Sequence, residues 1–150
     1  MAQSLSRIFL HIVFSTKDRE PSINVDVRPR LHAYLATICR DLESEVPAVG
    51  GVADHVHVVT TLPRTISPAE LVEKIKKTSS KWMKGVETRY RDFFWQRGYS
   101  AFSVSTSQLE NVIKYVQEQE EHHRIKGFQE EYRELLRRHG VEFDERYVWD

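Results

Sequence analysis

Hydrophobic and polar residues recur along the chain in patterns that predict a mixture of strands and helices. Apolar side chains fill both faces of residues 7–15, as expected for a central strand that is covered on two sides. Spacings of three and four between Leu31, Leu35 and Ile38 indicate one face of a helix. Strands are predicted over residues 7–15, 45–52, 55–62 and 99–105. Helices are predicted from about 25 to 42, from 68 onward, from 107 to about 122 and from about 128 to 139.

Turn and capping residues mark several element ends. A hairpin is predicted to join the second and third strands near Gly50 and Gly51, with Ala53 and Asp54 close to the turn. The sequence Ser67-Pro68-Ala69-Glu70 is typical of a helix start, with a capping serine and a proline at the first helical position. Ser107 is predicted to cap the next helix, and Gly140 to end the last one. The succession predicts an α/β fold with a mainly antiparallel sheet and packed helices.

The third predicted strand carries Asp54-His55-Val56-His57-Val58-Val59. Side chains alternate between the faces of a strand, so His55 and His57 point to the same side. Two imidazoles so placed suit a divalent metal ion, although a pair alone is a weak signal and needs a third ligand. Asp54 is expected either to shape the hairpin or to orient one of the histidines.

A polar pair lies on the third predicted helix. Tyr115 and Gln119 are four residues apart, so they lie one above the other at the edge of the apolar stripe. Gln117 is another polar residue that could accompany Tyr115, but on a helix its side chain points roughly 200° away from that of Tyr115. Gln119 is therefore the better companion of the tyrosine.

Composition sets broad limits. A chain of 150 residues that is 40% hydrophobic is long enough for one compact domain and short for two. We expect residues 1–150 to form a single domain that ends in a helical tail from about 126 to 150. The one cysteine, Cys39, fits core packing in a reducing compartment. Because no apolar stretch approaches the roughly 20 residues that span a bilayer, we expect no membrane partner and a cytoplasmic protein.

Positive charge is local rather than global. Lysine plus arginine and aspartate plus glutamate are equal at 22 each, so the formal net charge is zero. One flank of the helix that begins at 68 is cationic, and basic residues continue into an aromatic loop at 93–99. A solvated charged face explains such a pattern, but basic and aromatic residues together also suit phosphates and stacked bases. The candidate contacts with a nucleic-acid backbone are Lys74, Lys77, Lys81, Arg91 and Arg97.

Three separated motifs occur in a fixed order and carry a resemblance. They are His11-Ile12-Val13-Phe14-Ser15-Thr16-Lys17, then the Asp54-His55-Val56-His57 strand, then Asn111-Val112-Ile113-Lys114-Tyr115-Val116-Gln117-Glu118-Gln119. Together they resemble the single-tyrosine HUH transposases of small bacterial insertion sequences and their relatives associated with repetitive extragenic palindromes (REP). The resemblance covers residues 5 to about 125, and the tail is similar to that of the REP-associated branch.

The resemblance implies a fold, a site and partners. The implied fold is the ferredoxin-like or RNA-recognition-like HUH fold. The implied metal ligands are His55, His57 and Gln119, with Tyr115 as nucleophile and Mg²⁺ or Mn²⁺ as the cofactor. The implied substrate is single-stranded DNA with hairpins, which is cut and rejoined through a covalent 5′-phosphotyrosine. It also implies a homodimer, in which the tyrosine helix of one chain can complete the site of the other, and association with the bacterial nucleoid when DNA is bound. The near-zero net charge departs from the basic character expected of such a protein.

Two other functions fit parts of the pattern. A noncatalytic nucleic-acid-binding module would keep the basic helix and the aromatic loop, but has no need for Tyr115 and Gln119 in register with a metal pair. A metal-dependent nuclease would use activated water and no tyrosine. Among the remaining histidines, His11 is expected to be a packed core residue. His122 and His123 are expected to end a helix in solvent, with a DNA contact or an accessory metal role as the alternative.

Overall fold

The computed structural model describes residues 2–150 and contains one four-stranded antiparallel sheet. Its strands are β1 (Phe9–Ser15), β2 (Ala48–Gly51), β3 (His55–Thr61) and β4 (Ser100–Val104), in the order β2-β3-β1-β4. The helices are α1 (Arg28–Asp41), α2 (Pro68–Val86), α3 (Leu109–Gln117), α4 (Gln119–His122) and α5 (Phe128–Arg138). The succession up to β4 is β1-α1-β2-β3-α2-β4, which is ferredoxin-like. The predicted fold class is confirmed.

The two faces of the sheet bury different helices. On one face, α1 and α2 cover a core that contains Ile12, Phe14 and Val58, all fully buried. The other face is covered by α3, which packs on Ala48 and Val59, and by α5, which packs on Val13 and Phe102. This second layer lies outside the ferredoxin-like unit, and the candidate active site lies between it and the sheet. Cys39 is buried in the first core, as predicted.

The structure confirms two of the predicted element ends and corrects a third. Ser67 caps α2 as predicted, because its Oγ accepts a hydrogen bond of 3.1 Å from the backbone N–H of Glu70. Ser107 does not cap α3: the chain first winds a 3₁₀ turn over Thr106–Gln108, so the helix begins two residues later. The predicted hairpin between the second and third strands is confirmed: both glycines belong to β2, within the predicted strand over 45–52, and the chain turns at residues 52–54.

Gly50 also has a packing role. A Cβ at this position would lie 2.0 Å from the carbonyl oxygen of Val116 in α3. The absence of a side chain therefore lets the tyrosine helix approach the sheet closely. None of the helices within residues 2–150 is long and apolar enough to cross a membrane.

Candidate active site

Strand β3 holds His55 and His57 on the sheet face that α3 and α5 cover, and both side chains are completely buried. Nδ1 of His55 lies 2.7 Å from a carboxylate oxygen of Asp54, and Nδ1 of His57 lies 2.7 Å from Nε2 of His11. A neutral His55 that donates from Nδ1 to Asp54 keeps the lone pair of Nε2 for another partner. The same holds for His57 when its Nδ1 donates to His11. Asp54 thus orients a histidine, and His11 does more than fill the core.

The helical segment formed by α3 and α4 contributes three side chains at intervals of four residues, namely Tyr115, Gln119 and His123. The segment is nearly continuous, because α4 begins two residues after α3 ends. Gln119 is buried, and its Nε2 donates to the backbone carbonyl of Tyr115 at 3.3 Å. Its Oε1 therefore points into the site, 3.2 Å from Nε2 of His55 and 3.0 Å from Nε2 of His123.

Helix α5 supplies the residue at the centre of the site, Glu131. Its Oε1 lies 3.0 Å from Nε2 of His57 and 3.3 Å from Nε2 of His55. Its Oε2 lies 3.1 Å from Nε2 of His123 and accepts a hydrogen bond from the Tyr115 hydroxyl. One buried carboxylate thus connects the strand histidines to the tyrosine helix.

The donor set fits a divalent cation. Ligand atoms of His55, His57, His123 and Glu131 all lie within 4.8 Å of one another. Ligands held about 2.1 Å from a shared ion lie roughly 3.0–3.4 Å apart, and the observed contacts of 3.0–3.3 Å fall in that range. The amide oxygen of Gln119 adds a fifth donor. Three imidazoles with oxygen ligands suit first-row transition ions, Zn²⁺ and Fe²⁺ as well as Mn²⁺.

Burial and the central carboxylate set the electrostatics. Burial lowers the pKa of His57 to about 4, although Glu131 acts in the opposite direction. Burial also disfavours the charged form of His55, but Asp54 and Glu131 outweigh it and raise the pKa of His55. Burial and the charge of Glu131 raise the pKa of Tyr115 well above its usual value, so the phenol is neutral near pH 7. Burial raises the pKa of Glu131, but its contacts with the three histidines outweigh burial and hold that pKa well below its usual range.

The four residues predicted for the site converge within one chain. Their side chains come from β3, α3 and α4, and no second chain is needed to bring them together. The predicted backbone contacts lie apart from this group. Lys74, Lys77 and Lys81 are exposed on α2, which covers the opposite face of the sheet. Arg91 and Arg97 are exposed in the segment between α2 and β4.

The sequence analysis did not identify Glu131, and it gave His123 a metal role only as the alternative. The expectation that His123 ends a helix in solvent is wrong, since its side chain is only 9% exposed and faces Glu131. His122 is half-buried beside the Tyr115 ring, with the ring centres 4.8 Å apart. Two signals were available in the sequence. His123 extends the four-residue interval of Tyr115 and Gln119, and Glu131 is a carboxylate among the apolar positions Phe128, Tyr132 and Leu135.

Fold and site together define a class of protein: a ferredoxin-like sheet with an H-x-H pair facing a tyrosine on an added helix. The sequence profile of the transposases of the IS200-like type matches residues 4–119. The chain belongs to this family of transposases, whose members serve DNA transposition. It is 26% identical over 117 residues to the transposase of insertion sequence IS200 from Salmonella typhimurium, covering 73% of this chain and 77% of that protein. The IS200 transposase of Salmonella typhi is similar to the same extent.

Solved structures have the same fold. A candidate transposase from Deinococcus radiodurans R1 superposes with a TM-score of 0.62 at 18% identity, over 78% of this chain and 96% of that one. A REP-associated tyrosine transposase bound to a REP hairpin superposes with a TM-score of 0.54 at 16% identity, over 77% of this chain and 70% of that one. At such low identity the likeness concerns the fold alone.

Proposed function

We propose that this transposase cuts and rejoins single-stranded DNA through a covalent bond between Tyr115 and a 5′-phosphate. The observation that carries the proposal is the contact of the Tyr115 hydroxyl with Glu131, whose other oxygen faces His55 and His57. A nucleophile and a metal-type donor set thus share one carboxylate. A noncatalytic binding module has no need of such an arrangement.

The chemistry assigned to the chain is transesterification. The Tyr115 oxygen attacks the phosphorus, the bond from phosphorus to the 3′ oxygen breaks, and a free 3′-hydroxyl is released. Glu131 accepts the hydrogen bond from this hydroxyl and so orients it. Because the pKa of Glu131 is held well below its usual range, the carboxylate does not keep the phenolic proton, which passes through solvent to the departing 3′ oxygen. The phosphotyrosine keeps the energy of the broken ester, so a 3′-hydroxyl can attack it and join strands without ATP.

A divalent ion, Mg²⁺ or Mn²⁺, is proposed as the cofactor, held by His55, His57, His123, Glu131 and Gln119. When bound, it would supply Lewis-acid polarisation of the scissile phosphate. Asp54 and His11 fix the rings of His55 and His57 through their Nδ1 atoms. Gln119 keeps its amide oxygen toward the site through its bond to the Tyr115 backbone. The protein thus fixes the donors before metal or substrate arrives.

Hairpin DNA is proposed as the substrate class. The REP-associated relative of the same fold is bound to a REP hairpin, and the exposed cations Lys74, Lys77, Lys81, Arg91 and Arg97 offer contacts for a DNA backbone. The proposal treats residues 1–150 as one unit, because α5 near the C-terminal end supplies Glu131. A homodimer is retained as a proposal, with each site complete in its own chain, and so are a cytoplasmic location and nucleoid association when DNA is bound.

The test is a search for the covalent adduct. The full chain is incubated with 5′- or 3′-labelled single-stranded hairpin oligonucleotides carrying varied flanks, with Mn²⁺, Mg²⁺ or EDTA. A label that stays with the protein through denaturing electrophoresis is expected with metal, and it should be lost in Tyr115→Phe. Tyr99→Phe is the matched control, since Tyr99 is exposed in the loop before β4. Cleavage that persists in Tyr115→Phe would instead identify a nuclease using activated water.

A further inference from the structure

Two surface cavities lie on either side of Tyr115. They measure about 480 and 580 Å³, and Tyr115, Leu135 and Arg138 line both of them. Each is within the size range of small-ligand sites. The tyrosine therefore stands at the boundary between two compartments rather than at the end of one.

The two cavities differ in charge. The smaller cavity is lined by Glu121, Glu131 and Glu134, which repel phosphate and outnumber its cations Lys126 and Arg138. The larger one, here called the amide cavity, shares Tyr115, Leu135 and Arg138 with the smaller one. Its other lining residues are Ser103, Val104, Gln108, Asn111 and Val112, together with three adjacent residues. Among residues 2–150 no carboxylate lines the amide cavity, and Arg138 brings a permanent positive charge. This composition suits an anionic ligand with a flat, hydrogen-bonding part.

The amides of the cavity form an ordered pair. Nδ2 of Asn111 donates to Oε1 of Gln108 at 3.2 Å. The amide N–H and C=O groups that this bond leaves unused can still donate and accept hydrogen bonds. The edge of a nucleobase needs partners of both kinds. Val112 and Leu135 provide apolar wall against which the face of a base can pack.

We propose that the amide cavity binds one unstacked nucleotide of the DNA strand, next to the phosphate that Tyr115 attacks. Arg138 binds the backbone phosphate, and Gln108 and Asn111 read the base edge. The inference rests on the proposed function, because a phosphate placed before the Tyr115 hydroxyl has one nucleotide on each side. Arg138 lines both cavities, but among residues 2–150 only the amide cavity combines its guanidinium with a lining free of carboxylates. The base in this cavity then contributes to the choice of cleavage site.

The test measures binding separately from chemistry. Fluorescence anisotropy with the full chain in EDTA uses labelled oligo(dT), oligo(dA) and oligo(dC) of about 12 nucleotides. Arg138→Ala should weaken binding roughly fivefold to tenfold, and Arg138→Lys should lose less. Arg137→Ala is the matched control, because this neighbouring arginine is exposed and lies over the Phe143 ring. It should stay within about twofold of the unaltered protein.

A second pair of variants tests base reading. Asn111→Leu should change the ratio of the dissociation constants for the three oligonucleotides by about threefold or more. Gln117→Leu, an exposed amide elsewhere on α3, should leave the ratio unchanged. Oligonucleotides containing 5-iododeoxyuridine should photocross-link to residues 103–115 or 135–139. Circular dichroism and thermal melting establish that each variant is folded.

Several results would overturn the inference. They are equal losses in Arg138→Ala and Arg137→Ala, an unchanged base ratio in Asn111→Leu, or cross-links confined to α2. A Val112→Arg variant that converts a dimer to a monomer without changing oligonucleotide affinity would assign the cavity to a second copy of the chain instead. If the covalent adduct forms while these variants bind normally, this inference fails and the proposed function stands. If Arg138 and Asn111 behave as expected but no adduct forms, the proposed function fails.

Discussion

The hydroxyl of Tyr115 donates a hydrogen bond to the carboxylate of Glu131, 16 residues further along the chain. Tyr115 belongs to α3 and Glu131 to α5, so two helices of the added layer meet at this bond. The same carboxylate reaches His55 and His57 on the sheet. The candidate nucleophile and the candidate metal ligands therefore share one buried anion, and changes at Glu131 are expected to affect both.

Replacement of Glu131 by glutamine is expected to weaken metal binding. Glutamine keeps the size of the side chain but removes the charge that compensates three neighbouring imidazoles, so Mn²⁺ affinity should fall by at least about tenfold. Isothermal titration calorimetry with Mn²⁺ on the DNA-free protein measures this. Glu130→Gln, an exposed position on the same helix, should leave the affinity unchanged. Equal affinities in the Glu131 and Glu130 variants would remove Glu131 from the ligand set.

His123 is expected to set the preference among ions. A third imidazole favours Mn²⁺ over Mg²⁺, which prefers oxygen ligands. In the unaltered protein Mn²⁺ should therefore raise the melting temperature more than Mg²⁺ does at equal concentration. His123→Ala should reduce this difference between the two ions, whereas His139→Ala, at the residue that follows α5, should preserve it. If Mn²⁺ and Mg²⁺ differ in their effect on the melting temperature of His123→Ala as much as in the unaltered protein, His123 is not a metal ligand.

Asp54 is expected to act through His55. Its carboxylate accepts from Nδ1 at 2.7 Å, whereas its backbone carbonyl separately accepts from the N–H of Thr16. Asp54→Asn should therefore preserve the fold but loosen the ring, and metal affinity should drop by about 10- to 100-fold. Titration with Mn²⁺ and a parallel melting curve separate the two effects. A loss of stability in the metal-free variant, with unchanged metal affinity, would make Asp54 a structural residue only.

Gly50 is expected to tolerate no side chain. Alanine would place its Cβ 2.0 Å from the Val116 carbonyl, so α3 would have to move away from β2. Gly50→Ala should cost about 3 kcal/mol of the free energy of unfolding, measured with urea, and should also reduce adduct formation by Tyr115. Gly85→Ala, in α2 with open space around it, should instead be neutral or stabilising by up to about 1 kcal/mol. A fully stable Gly50→Ala would contradict the close approach.

His32 is expected to make stability depend on pH. Burial and the charge of Arg28 lower its pKa to about 4, and among residues 2–150 no partner bonds its buried Nε2. As the pH falls below about 6.5, the unfolded chain takes up the proton first, so folding loses stability until about pH 4. Between pH 8 and pH 5, the free energy of unfolding measured with urea should fall by about 2 kcal/mol more in the unaltered protein than in His32→Leu. If the free energies of unfolding of the two proteins change with pH in parallel, this assignment is contradicted.

Local patterns predicted most elements because their causes are local. The apolar spacing of Leu31, Leu35 and Ile38 follows the helix period, and the capping serine at position 67 needs only the next turn of chain. Ser107 and the glycine pair show the limit of this reasoning. A 3₁₀ turn displaced the start of α3, and the close packing of α3 on Gly50 in β2 could not be predicted from the hairpin pattern.

The sequence by itself determined that His55 and His57 share one face and that Tyr115 and Gln119 share another. Strand and helix periods fix such directions without any knowledge of the partner element. Only the tertiary structure decided that these faces meet within one chain. It also brought His11, His123 and Glu131 to them from β1, the end of α4 and α5. Those contacts depend on how separate elements pack across the sheet, which no local periodicity encodes.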